Sequence, residues 1–269
     1  MRITLAHCKD QTLQHLRAPG YLLPTLAMPG LFYFLFEGPD TEVGLVTFLM
    51  ASYAMWAVLG VAFFQFGVGI AEERTSAWER FLRTLPVSAG QRLAGRVLSA
   101  AVLAAAAAAI VIVEAHLINP VSVAADRWLP WLGALLAGGV VVALGGIAMG
   151  YWASPRAATP LATLAWLLLA YLGGLWATPT ELPTWAKEVS PYLPTRLWGE
   201  VTWAAVQGRA TSLSDWLGLL AYAVGFAALA LWGYRRDEAR AIADVETSSA
   251  ASTPSREAPA RAPKPRRAP

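Results

Sequence analysis

The sequence predicts an all-α integral membrane protein with six transmembrane helices, an N-terminal interfacial amphipathic helix, and short interfacial or re-entrant helices between the last two spans. Three observations carry this expectation. Hydrophobic residues make up 56% of the 269 residues and charged residues only 14%, far from the mixture of a water-soluble domain. The charges are clustered, so that residues 43–71, 129–153, 160–177 and 216–234 contain no Asp, Glu, Lys or Arg. Each run is of the length that crosses a hydrocarbon core, roughly 20 apolar residues for about 30 Å.

Taken in order, residues 1–19 interleave Ile3, Ala6, Leu13 and Leu16 with Arg2, Lys9, Asp10, Gln14 and Arg17 ahead of Pro19-Gly20, as in a short helix lying on a membrane surface. The first span, about 20–36, carries Pro24 and Pro29. No small-x-small cleavage site follows it in Phe32-Tyr33-Phe34-Leu35-Phe36, so it is expected to stay as a span. The second span covers about 43–71, followed by a loop at 72–92, an alanine-rich third span at about 97–113, and a fourth and fifth at about 129–153 and 160–177. An outer segment, 178–215, separates these from the sixth span at about 216–234. Together 20–234 form the membrane domain. Residues 235–269 turn to Ser, Ala, Pro and arginine, and from about Val245 cannot bury enough apolar surface to fold, which predicts a mostly disordered tail.

Charge sets the expected orientation. With the N-terminus inside, 17 of the 21 lysines and arginines fall on the inner side, and only Arg127, Lys187, Arg196 and Arg209 on the outer. Acidic residues divide about evenly, as expected where Lys and Arg set topology. The expectation is a multi-pass protein of the plasma or inner membrane with both termini cytoplasmic. The basic excess lies beside spans and in the tail, not in a folded basic patch, which argues against a nucleic-acid partner and for membrane lipid. One cysteine, Cys8, precludes an intrachain disulfide.

Small residues recur within the spans: Ala100, Ala104 and Ala108 at four-residue spacing, and Gly146-x-x-x-Gly150 after Gly138-Gly139 and Gly145. Such faces let helix backbones approach closely. In the outer segment, Pro183, Pro191 and Pro194 are expected to break short helices, and Trp185, Tyr192, Trp198 and Trp203 to sit at a headgroup boundary. Arg196 and Glu200, four apart, have the spacing of an ion pair on one helix face.

The loop after the second span has the most complete grammar. Ser76 and Glu79 have capping-box spacing, Trp78, Phe81, Leu82 and Leu85 fall on one helical face, and Pro86 ends the run. Ser88 and Gln91 offer a second capping box before the third span, and Glu79 and Arg83 are four apart. An acidic-Arg pair leaving the second span, an amphipathic stretch ending in Leu-Pro-Val-Ser, and a span directly after it resemble the type-2 ABC exporter permease family over about residues 1–235. The resemblance implies that this loop is a coupling helix docking on a separate ATPase chain, which would hold ATP and Mg. It carries over Glu73, Arg74, Glu79, Pro86 and Ser88 as matching positions and Trp78, Phe81 and Leu82 as the packed face, with Glu72, Arg80 and Arg83 beside them. Where the family has Gly-Thr shortly before the acidic residue, this chain has Ala77-Trp78. The resemblance also implies a second permease copy, as a homodimer, and outward transport.

The chain has no Gly-x-x-x-x-Gly-Lys-Ser/Thr phosphate loop and no Gly-x-Ser-x-Gly element, so neither ATP hydrolysis, another catalytic centre nor a cofactor of its own is expected. His7, His15 and His116 lack metal-binding spacing. Four polar residues in or near spans are candidates for a translocation pathway: Tyr53, Gln65, Glu114 and His116. Packing accounts for the first two as well, and snorkelling toward water for the others. The apolar spans favour a lipophilic or amphipathic substrate. Two other functions stay open: an intramembrane or lipid-modifying enzyme around Glu114 and His116, and an accessory structural subunit. Glu114→Gln and His116→Ala separate the enzyme from the exporter, which should transport normally with either change.

Overall fold

A computed structural model describes residues 2–17, 23–36, 42–74, 76, 89–176 and 178–252, and all regular structure among them is helical. Four helices are long and apolar enough to cross a membrane: Val43–Glu73, Ala94–Ile118, Ala125–Trp152 and Leu213–Arg240. The first expected span is instead a shorter apolar helix, Thr25–Leu35. The fifth is a helix of 18 residues, Pro155–Leu172, with Pro155, Arg156 and Pro160 in its first turns.

Nine helices follow in order among the described residues. Helix α1 is Arg2–Leu16; α2, Met28–Phe36, follows a π-helical turn at Leu23–Ala27. Helix α3, Val43–Glu73, is α-helical except for a π-helical stretch at Ala62–Val68. Helices α4 (Ala89–Ile118), α5 (Trp128–Trp152) and α6 (Pro155–Leu172) precede the short α7 (Thr184–Val189), then α8 (Pro194–Gln207) and α9 (Leu213–Ser252).

The core forms around α3. It is apolar on every side, the pattern of a helix enclosed by others, and 89% of its most apolar window is buried, against 17% for α9 at the rim. The close approach rests on glycine. Gly146 of α5 faces the Ala62 carbonyl with no room for a Cβ, and a Cβ on Gly150 would lie 2.8 Å from Cβ of Ile70 and 2.9 Å from the carbonyl oxygens of Gly67 and Phe66. The glycine row predicted for close packing therefore meets the π-helical stretch of α3. Of the alanine row, Ala100 and Ala108 are buried, within a stripe with Leu103, Ala107, Val111 and Ala115 that turns α4 inward.

Helix α1 lies along α4. Its docked side is Cys8, Gln11, Thr12 and His15, while Leu5, Leu13 and Leu16 are exposed. The Thr12 hydroxyl bonds the Cys8 carbonyl at 2.8 Å and the Ser99 hydroxyl of α4 at 2.9 Å.

Three details differ from the sequence reading. The uncharged run at 160–177 places the fifth helix too late: α6 starts behind the Ser154 cap with Pro155 in its first turn, and ends at Gly173 and Gly174, the latter at φ +76°. Glycine there accepts a backbone conformation that other residues resist. Helix α9 runs past Tyr234 to Ser252, into the segment predicted to be a disordered tail, because Asp237-Glu238-Ala239-Arg240-Ala241 is built of residues that on balance favour helix. Residues 253–269 lie outside the described residues. In the outer segment the prolines sit in first turns and between short helices as expected, and Trp185 and Tyr192 are exposed, but Trp198 and Trp203 are buried in the bundle. Gly138 makes room for the Trp198 indole, whose Nε1 donates to the Ala134 carbonyl at 3.1 Å; Trp203 Nε1 donates to Ser52 Oγ at 2.8 Å. A buried indole needs such an acceptor. Arg196 and Glu200 pair as their spacing predicts, at 2.6 Å.

Candidate functional site

Charged residues gather where the ends of four elements meet, at the base of the loop that follows α3. Arg74 is the hub. Its Nη1 donates to Asp237 Oδ1 of α9 at 2.7 Å, and its Nη2 donates at 2.7 Å to the carbonyl of Ala153, in the tight turn between α5 and α6. The two side chains are only 16% and 22% exposed, so the pair is partly withdrawn from solvent, where a charge-assisted bond outweighs its surface counterpart. One residue earlier, Glu73 pairs with Arg96 of α4, itself 12% exposed. Beneath them Ala71, Ala153 and Ala158 form a small apolar contact that seats the end of α3 on the α5–α6 turn.

The chain geometry explains the convergence. Gly69–Glu73 continues α3 as ordinary α-helix, the Arg74 amide closes on the Ile70 carbonyl, and the Ser76 amide on the Glu73 carbonyl. This directs Glu73 toward α4 and Arg74 toward α9. Of the residues assigned to the coupling helix, Glu72 is exposed at this corner beside Glu73 and Arg74. Trp78, Glu79, Arg80, Phe81, Leu82, Arg83, Pro86 and Ser88 lie outside the described residues.

The pathway candidates do not converge on one another. Tyr53 is 2% exposed, set edge-on to Tyr33 and Trp56 in an aromatic cluster in which Trp56 stacks on Trp166 at 4.9 Å. Gln65, in the π-helical stretch, is 1% exposed and donates to Ser99 Oγ at 3.1 Å. Glu114 packs its carboxylate against Gly30 of α2. His116 is exposed, with Nδ1 2.8 Å from the Ile112 carbonyl and its ring stacked on Trp128 at 6.0 Å.

Sequence reasoning missed Arg96, Ala153 and Asp237. Arg96 and Asp237 were legible in principle as charges within one turn of the expected span ends, opposite in sign to Glu73 and Arg74. Ala153 acts through its carbonyl, which no residue type announces.

The comparison with known families settles the kind of protein. A model described as "ABC-2 family transporter protein" matches residues 25–232. The chain belongs to this family. It is also similar to a protein of Bacillus subtilis (strain 168) named "Putative transport permease YvfS", 24% identical over 230 residues, or 83% of this chain and 94% of the relative. This ABC-2 family protein is thus a transport permease of the membrane. The family match ends at residue 232, short of Asp237, so the α9 partner of Arg74 stands outside the matched region.

Proposed function

We propose that this permease is the membrane-spanning part of an exporter. In this reading two copies form the pathway, a separate ATPase holding ATP and Mg docks on residues 72–88, and nucleotide-driven closure moves a lipophilic or amphipathic substrate outward. All six apolar segments cross the bilayer, with both termini in the cytoplasm.

The observation that carries the reading is the Arg74 hub. A loop meant only to connect two spans needs no ties to α9, to the α5–α6 turn and, through Glu73, to α4. A loop that delivers force does, because a displacement at its base then reaches three elements at once. The apolar character of the spans, with few polar side chains among them, supports the substrate class.

The test is co-purification with a candidate ABC-type ATPase from the same organism, followed by ATP hydrolysis in lipid nanodiscs for wild type, Arg74→Ala and Glu79→Ala. Stable association, with Arg74→Ala lowering stimulated hydrolysis several-fold, is expected. Failure of any ATPase to associate, or indifference to both changes, would overturn the exporter reading in favour of the intramembrane-enzyme and accessory-subunit alternatives.

A further inference from the structure

At the opposite end of the bundle from Arg74, the ends of α5, α8 and α9 surround a half-open cavity of about 500 Å³. Its size falls in the range of small-ligand sites, about 300–1,000 Å³. Two guanidinium groups line it, Arg127 just before α5 and Arg209 just after α8, while its walls include Ala134, Val201, Ala205 and Trp216. Cationic rim and apolar wall together are the complement of a phosphate carrying acyl chains.

Arg127 is held by its surroundings, while Arg209 is exposed at the rim. Gly208 closes α8 at φ +72°, and the Arg127 guanidinium occupies the space that a Cβ at this position would need. Arg127 Nε is 3.1 Å from Asp126, and Arg209 Nε donates to Gln207 at 2.8 Å, so one nitrogen of each fork is used locally. Among the described residues no other carboxylate pairs with either. The indole of Trp216 is anchored by its Nε1 donating to Thr211 at 3.1 Å. Beside the cavity, Leu129, Leu132, Leu213 and Leu217 are exposed on α5 and α9, the surface that a membrane helix turns to hydrocarbon.

We propose that this cavity binds one anionic phospholipid from the leaflet on the Arg127 side. Its phosphate lies between Arg127 and Arg209, and its first methylenes lie along Ala134, Val201, Ala205 and Trp216. Arginine suits this role because its planar fork meets phosphate oxygens in pairs and carries its charge at any physiological pH. The proposal is independent of ATPase docking, so its failure would leave the exporter reading untouched.

Native mass spectrometry of the full-length chain in detergent, titrated separately with phosphatidylglycerol and phosphatidylcholine, tests it. Preferential retention of phosphatidylglycerol is expected, weakened about tenfold or more in the Arg127→Gln/Arg209→Gln double variant and weakened less in Arg127→Lys/Arg209→Lys, which keeps the charge but loses the paired fork, with phosphatidylcholine binding unchanged. Asp126→Asn releases Arg127 from its neighbour and should tighten phosphatidylglycerol binding, a gain that misfolding cannot produce. Equal retention of the two lipids, or an unaffected double variant, would overturn the proposal. Displacement of the lipid by millimolar inorganic phosphate would also overturn it, by showing a site for a soluble anion; displacement by dodecyl phosphate but not by inorganic phosphate is the supporting result.

Discussion

Single residues decide how close the helices of this permease come. Gly150 is the clearest case, because the atoms that would meet its Cβ include two backbone carbonyl oxygens, which cannot swing aside as a flexible side chain does. Gly150→Ala should destabilise the bundle by roughly 1–3 kcal/mol, the usual cost of overpacking, and lower the thermal unfolding midpoint in micelles; an unchanged midpoint would mean that α3 and α5 are not in this contact. His15 gives a second prediction at this scale. Burial against α4 holds its imidazole below the ordinary value of 6.5, with the Gln11 carbonyl opposing the shift and the Arg96 charge adding to it. A histidine whose value is lowered on docking binds protons more readily undocked. Docking of α1 is therefore at full strength above about pH 6.5 and weakens as pH falls below it. The chain's one cysteine, Cys8, is buried on the same face and reports this directly. Its maleimide labelling at pH 5.5, corrected for thiolate content, should exceed that at pH 7.5, and His15→Gln should abolish the difference.

At the scale of elements, the Arg74 hub joins the end of α3 to α9 and to the α5–α6 turn. Removing one partner strands the other in a partly buried place, so Arg74→Ala should cost about 1–3 kcal/mol, and Asp237→Ala a similar amount. The double variant should cost less than the sum, and strict additivity in that cycle would mean that the pair is not coupled. The positions of the long helices were legible in the sequence because uncharged runs such as 43–71 and 129–153 are a one-dimensional signal. Other features depend on what arrives from elsewhere in the chain. The start of α6 is fixed by the Ser154 cap, not by where charge stops, and Trp198 goes inward only because Gly138 leaves space on a helix sixty residues earlier. The site was half legible: Glu73 and Arg74 could be named from their place at the end of a span, but their partners Arg96, Ala153 and Asp237 are set by packing.

For the whole molecule, orientation has a direct test. In a Cys8→Ser background, a cysteine at Thr180 should react with a membrane-impermeant maleimide added to intact cells, and one at Ser76 only after permeabilisation; the reverse pattern would invert the proposed topology. Within the bundle, α3 meets protein on nearly every side, and this bears on how the chain is made. Segments leave the ribosome in order, so α3 reaches the bilayer before most of its neighbours exist, and its hydrophobicity lets it wait there among lipid tails. Gln65 is the uncomfortable passenger, an amide in hydrocarbon. Ser99, which accepts a hydrogen bond from it, belongs to the very next helix to be synthesised, whereas Ser52, whose hydroxyl already bonds the Phe48 carbonyl of its own helix, meets Trp203 about 150 residues later. The order of synthesis thus relieves the more costly polar group first, and a chain arrested after α4 should already hold the Gln65–Ser99 contact while Trp166 and Trp203, which pack on α3, are still to come.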